Sequence, residues 1–403
     1  MLSEDAIERL LQPIIDRQEQ INMYVLQKIA ERVKEIGNLL PSDVYRLERL
    51  LKSGNDVRLI NKRLSEMTGL NVKQIKRLIQ KVALDSYIDA KPYYDYRSQP
   101  FIPFAKNESL QRIVKAIAAQ TAKTYINLSN ARAFMLRDPK NPKKLIPTNI
   151  SKTYYTVVDQ AIQAVQSGTV DYATAMRRTM EQLASEGIQT VWYNPESGVK
   201  YHQSMEAAVK RNILDGVRQI SQAVQDEVGR QYGADGKEIT VHEMSAPDHE
   251  PIQGHQFTNE EYEKLQNEEP FEDVDGQKFT PIARAIGEYN CRHFTYSIIV
   301  GVNKPNFTKE QLEANIKRNH QGYTDSSGRH RTLYECSQEQ RRMERNIRQA
   351  KSDVTIGKTL GDDVMQAKGK ADLRKAQSIY REFSKACGLR QRPENVKVAG
   401  YSK

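Results

Sequence analysis

The chain has 403 residues, and its 61 Lys and Arg outweigh 51 Asp and Glu to leave a net charge of +10, a balance that favours an acidic partner such as nucleic acid or an acidic protein surface. A hydrophobic content of 38% and a mean hydropathy of −0.71 suit long helices with narrow apolar stripes better than one thick core. Three widely spaced cysteines, Cys291, Cys336 and Cys387, argue against a disulfide framework, Glu4, Asp5 and Glu8 argue against a secretory leader, and no uncharged apolar run reaches the length of a membrane span.

In chain order, apolar residues at Ile21, Val25, Leu26, Ile29, Val33, Ile36 and Leu40 mark one face of a helix that follows Pro13 and ends at Pro41. Ser42 and Asp43 supply the next helix start. Asn61 to Val82 places a Thr-Gly pair, Thr68 and Gly69, between two amphipathic segments, the second carrying Lys73, Lys76, Arg77 and Lys81. That outline fits either a tight helical corner or a helix-turn-helix whose basic face touches DNA. Lys91 to Phe104, with three prolines and five aromatics, predicts an extended connector. Helical periodicity then runs from Glu108 to about Arg137, breaks into a Pro-rich loop over Asp138 to Pro147, and resumes from Thr148 to Leu183.

At Gly187 the period changes. Ile188 to Tyr193 and Val199 to His202, around the turn residues Asn194 to Gly198, predict a β-hairpin. Ser204 caps a long helix ending near Gly233. Ile239 to Met244 alternates like a half-buried strand, Ser245 to Gln256 is loop, Thr258 caps a helix, Asp275-Gly276 marks a turn, and Asn290 to Val300 is the last strand. Beyond Pro305, a short helix around Leu312 and Ile316 precedes two charged helices, Tyr334 to Lys351 and Lys370 to Ala386, which form an antiparallel tail. Arg341, Arg345 and Arg348 line one face of the first.

The fold class is therefore mainly α with a small central α+β module, elongated, with a helical N-terminal unit and a helical C-terminal tail. Its expected divisions are an all-α domain over 1–187, the α+β module over 188–305 and a charged helical region over 306–403.

Chemistry concentrates between Glu238 and Gly301, a stretch that holds four of the seven histidines, His242, His249, His255 and His293, together with Cys291. His249, His255, Cys291 and His293 offer a nitrogen and sulfur set for zinc, but neither half has a familiar zinc spacing. Polar packing is the expectation, with His249 held by a backbone group or a carboxylate such as Glu243, and no metal is assigned. Cys291 beside His293 or His249 suggests a nucleophile, and thus a hydrolase or toxin, without an orienting group or oxyanion motif to complete it. No phosphate-binding glycine loop is present. No enzyme activity and no cofactor are expected.

Tyr201 to Gly216, His242 to Phe257, and Asn290 to His293 with Gly301 and Pro305 resemble, in order and spacing, the phage minor capsid protein 2 family, itself related to the Mu F-like head morphogenesis proteins; Tyr334 to Arg348 is similar to that family's C-terminal region. The resemblance implies motif positions at Glu243, His249 and Gly254 in the central loop and at Asn290, Cys291 and His293 in the strand, with His293 standing where many Mu F-like relatives have a second cysteine. It implies a non-enzymatic minor head protein of a tailed phage, made in the bacterial host cytoplasm and carried in the virion near the portal. There it would act in head assembly, genome packaging or delivery. The implied partners are the portal protein, other head proteins and double-stranded DNA, with Lys73, Lys76, Arg77, Arg341, Arg345 and Arg348 touching DNA or an acidic partner. The alternative is a non-enzymatic DNA-binding protein using the basic helices.

Overall fold

A computed structural model describes residues 4–39, 54–91, 100–138, 140–167, 172–193, 200–267, 269–272, 278–279, 285–287, 291 and 293–401. Ten α-helices occur among them: α1 (Glu4–Gly37), α2 (Asn55–Asp89), α3 (Glu108–Asn130), α4 (Ile150–Gln166), α5 (Tyr172–Glu186), α6 (Met205–Tyr232), α7 (Asn259–Gln266), α8 (Lys309–Gln321), α9 (Leu333–Leu360) and α10 (Asp363–Ala386). The mainly helical class with a small central α+β portion is as the periodicity implies. The helix start at Ser42 and Asp43, the turns at Asn194 to Gly198 and Asp275-Gly276, and most of the connector after Lys91 lie outside the described residues.

The chain forms two units, each drawn from three separate stretches. One comprises Met1–Leu11, Gln74–Lys123 and Arg211–Glu339, the other Gln12–Lys73, Thr124–Lys210 and Gln340–Lys403.

In the second unit the expected loop over Asp138 to Pro147 is instead a β-hairpin, β1 (Arg132–Asp138) with β2 (Asn141–Asn149), so the stretch before residue 187 is not all-α. Proline breaks helices but is admitted to a strand whose outer edge needs no N–H donor. The strand order β2-β1-β3-β4, with β3 (Gln189–Tyr193) and β4 (Lys200–Ser204), puts Pro142 and Pro147 on that edge. The expected hairpin of β3 and β4 pairs Trp192 with Tyr201. Helices α4 and α5 pack on β1, burying Phe134, Met135, Tyr154, Val158, Met180 and Leu183.

Helix α1 contains Pro13 where the pattern placed it before the helix. Its apolar stripe extends back to Leu11 and Ile14, both fully buried, and that burial offsets the backbone hydrogen bond proline cannot donate.

Helix α2 corrects the Asn61 to Val82 outline, for there is no turn at Thr68-Gly69. Thr68 Oγ1 donates back to the carbonyl of Leu64 at 2.7 Å, in the manner of an intrahelical threonine. Ile60, Leu64, Met67, Ile75, Leu78, Ile79 and Val82 form one buried stripe straight through the glycine. A helix-turn-helix is thereby excluded, since its two short helices must diverge at the glycine. At the described end of the connector, Phe101 stacks on Tyr87 at 4.7 Å, and Tyr87 donates its hydroxyl proton to the Ile102 carbonyl at 2.7 Å.

In the C-terminal hairpin, Ile347, Ala350, Leu373 and Tyr380 of α9 and α10 make a common core. A β-carbon on Gly369 would lie 2.9 Å from Val354 Cγ2 and 3.0 Å from its backbone nitrogen, so this glycine sets how closely the helices approach.

In the first unit, β5 (Gly236–Ile239) lies between β6 (Gln256–Thr258) and β9 (Thr295–Ile298). The strand expected over Ile239 to Met244 thus ends where it was to begin, and that expected from Asn290 begins at Thr295. The Thr240 amide bonds to the Phe294 carbonyl, after which the chain turns away through Met244, at φ 56°. Thr258 caps α7 as expected, with Glu261 completing a capping box. Beneath the sheet, Ile239, Ile252, Phe257, Leu265 and Phe279 form a small core. A two-stranded ribbon, β7 (Phe271–Glu272) with β8 (Lys278–Phe279), and another, β10 (Tyr323–Thr324) with β11 (His330–Arg331), complete the strands among the unit's described residues.

Candidate functional site

Where β5 and β9 end, the loop after Met244 folds back against the residues preceding β9. His249 opens a short 3-10 turn, Glu250–Ile252, with Pro251 inside its first turn. Two side chains clamp that turn. The buried Glu250 carboxylate accepts from Asn319 Nδ2 at 2.6 Å and pairs with His320 Nε2 at 2.7 Å, both near the end of α8. The loop then rejoins the sheet, the Gly254 amide donating to the Ile239 carbonyl at 2.9 Å. Gly254 has φ 71°, a conformation that favours glycine, and a β-carbon there would lie 2.6 Å from Leu312 Cδ2 and push that side chain aside.

This path brings three of the expected residues together. Cys291 Sγ lies 3.5 Å from His249 Nδ1 and 3.6 Å from His293 Nδ1, and the three ligand-capable atoms all fall within 4.8 Å of one another. The histidines are 1% and 3% exposed, while Cys291 is half-buried. The ring edges are held from outside. Gln253 Oε1 accepts from the His242 backbone amide at 2.6 Å and lies 3.1 Å from His293 Nε2. An amide N–H can only donate, so the Gln253 atom facing it is the oxygen; His293 Nε2 then carries a hydrogen, and Nδ1 is the ring nitrogen that faces sulfur. On the other side the Asp248 carboxylate lies 3.7 Å from His249 Nε2. Burial raises the Cys291 pKa, but hydrogen bonds from His249 and from the backbone at Gly287 and His293 outweigh it, and the thiol sits below its ordinary value.

Other expected positions fall elsewhere. The carboxylate beside His249 belongs to Asp248, whereas Glu243 is exposed and pairs with Arg318 at 3.3 Å. His255 leaves the cluster and sets its ring edge-on to Phe279 at 5.4 Å; His242 lies instead edge-on to His293 at 4.6 Å. Asn290 is outside the described residues. Gln253 and Asp248 were not foreseen, because nothing in their spacing distinguishes them from ordinary loop polar residues. Lys73, Lys76 and Arg77 are exposed on one stretch of α2, and Arg345 is exposed on α9. Arg341 is half-buried, and Arg348 donates to the Asn395 carbonyl at 2.5 Å and pairs with Glu206 at 3.4 Å.

No helix among the described residues is long and apolar enough to cross a membrane. No curated protein and no solved structure gives a significant match to the chain. A sequence profile for phage minor capsid protein 2 matches residues 2–385, close to the whole length. On that match the chain belongs to the phage minor capsid protein 2 family, structural proteins of the bacteriophage capsid.

Proposed function

We propose that this minor capsid protein is a portal-associated head protein of a tailed phage that acts in head assembly and in genome packaging or delivery, without catalysing a reaction. The observation that carries the reading is the family match over residues 2–385. The excess of ten positive charges suits a protein held between an acidic protein surface and packaged DNA. In this reading the N-terminal helices dock on other head proteins, the α+β portion around β5, β6 and β9 serves as the Mu F-like module, and the basic helices beyond residue 306 lie near DNA. The virion, beside the portal, is its destination after synthesis in the bacterial cytoplasm.

Co-expression with the portal protein of the same phage, followed by size-exclusion chromatography with mass determination at low and high salt, tests this. A complex that survives high salt with a few copies per portal ring is the expected result. Absence of a complex, with DNA retained at low salt, would transfer the reading to the non-enzymatic DNA-binding alternative.

A further inference from the structure

We propose that Cys291, His249 and His293 form a zinc site, with the thiolate and the two Nδ1 atoms as ligands and a fourth position on the half-buried side of Cys291. This goes beyond the capsid role and does not rest on it. A tetrahedral zinc with Zn–S of about 2.3 Å and Zn–N of about 2.0 Å separates sulfur from nitrogen by about 3.5 Å along each edge. The two S···N separations in the structure are 3.5 and 3.6 Å, and all three ligand atoms lie within 4.8 Å of one another, close enough for a small inward turn of the rings to close on one ion.

Direction agrees with distance. Gln253 Oε1 fixes the hydrogen of His293 on Nε2, which leaves Nδ1 as the donor facing Sγ. The Asp248 carboxylate lies on the Nε2 side of His249, again leaving Nδ1 toward sulfur. A polar group behind each imidazole is the arrangement that orients zinc-binding histidines. A thiol carries one proton and can bridge to one nitrogen at a time; a cation engages all three lone pairs together. The donor set selects the metal class, since one thiolate and two imidazoles favour zinc over calcium or magnesium, which take oxygen ligands.

The fold gives the site a purpose. Strands β5, β6 and β9 have four, three and four residues, and the core beneath them holds five buried side chains. Small cores are commonly reinforced by a metal or a disulfide. A zinc here would join the loop of His249 to Cys291, 42 residues later, and hold the ends of β5 and β9 together.

The test uses the full-length chain freed of any histidine tag. After dialysis against metal-free buffer, elemental analysis should find one zinc per chain. Replacement by Co²⁺ should give the visible absorption of tetrahedral cobalt and a thiolate-to-cobalt charge-transfer band. Cys291→Ala should abolish that band, and Gln253→Ala, which keeps every ligand, should weaken zinc binding by about 10–100-fold. His255→Ala lies outside the cluster and should leave the stoichiometry at one. The proposal is overturned if the unmutated chain neither retains zinc nor develops the cobalt spectrum at saturating Co²⁺, the result expected of a thiol hydrogen-bonded to one imidazole. A charge-transfer band that persists in Cys291→Ala would also overturn it, by placing the metal elsewhere. The decisive readings come from the unmutated chain, so a variant that fails to fold does not blur them.

Discussion

Two single residues show how local physics limits what can be changed. At Gly254 a side chain would impose strain at φ 71° and press on Leu312. Gly254→Ala should destabilise the protein by about 1–3 kcal/mol, read as a lower urea midpoint; an unchanged midpoint would mean that the loop can re-form without its left-handed residue. Glu19 is the second case. Burial, followed by the nearby Glu206 charge, pushes its pKa from 4.5 up to about 8, against the lowering influence of Arg348. The folded chain therefore holds a proton that the unfolded chain releases above about 4.5. Its contribution to stability is fully present below that value and is lost as pH rises through about 8. Urea midpoints should fall across this window in the unmutated protein, and Glu19→Gln, which cannot ionise, should flatten the decline. An identical slope in the variant would show that other groups set the pH dependence.

At the scale of elements, α2 shows why a glycine does not by itself mark a turn. Gly69 is not among the glycines of positive φ, and a β-carbon there would meet no atom within 4 Å. Gly69→Ala should therefore stabilise the protein by about 0.5–1 kcal/mol, because alanine loses less backbone freedom on entering a helix. A corner at this glycine would give the opposite sign, so thermal denaturation of this one variant separates the two conformations. In the sequence, Thr-Gly between basic amphipathic segments reads equally well as a corner. What the local pattern lacks is the continuous burial from Leu64 to Val82, which depends on partners distant in the chain. The hairpin of β1 and β2 was hidden for a related reason. Pro142 and Pro147 look like loop residues until the sheet order leaves β2 on an edge, where the missing N–H has no cost.

For the whole molecule, charge makes the prediction. If the basic face of α2 meets packaged DNA, affinity for duplex DNA should fall steeply with salt. Changing Lys73, Lys76 and Arg77 together to Gln should then reduce the log–log slope by about 0.9 for each phosphate that is no longer neutralised. Filter binding across a salt series measures this, and an unchanged slope would remove this face from any DNA role. Arg348 differs from its neighbour Arg345: its bonds to Glu206 and the Asn395 carbonyl commit it to the protein's own framework. An arginine stripe in sequence is thus two kinds of residue in the fold.

The sequence by itself determined the helical class, the hairpin of β3 and β4, the Thr258 cap, the charged C-terminal helices and the family. All of these rest on short-range periodicity, capping chemistry or the order of motifs along the chain. Tertiary structure alone decided which segments share a unit, since each unit gathers three stretches far apart in sequence. It also decided the site. His255 and His249 look interchangeable in a line of letters, yet a six-residue path through the turn at Glu250 and the left-handed Gly254 carries His255 onto the phenylalanines and leaves His249 facing Cys291. The direction each ring faces depends on its neighbours in space, with Gln253 bonded to His293 and Asp248 near His249, residues that acquire meaning only once the loop has closed on β5.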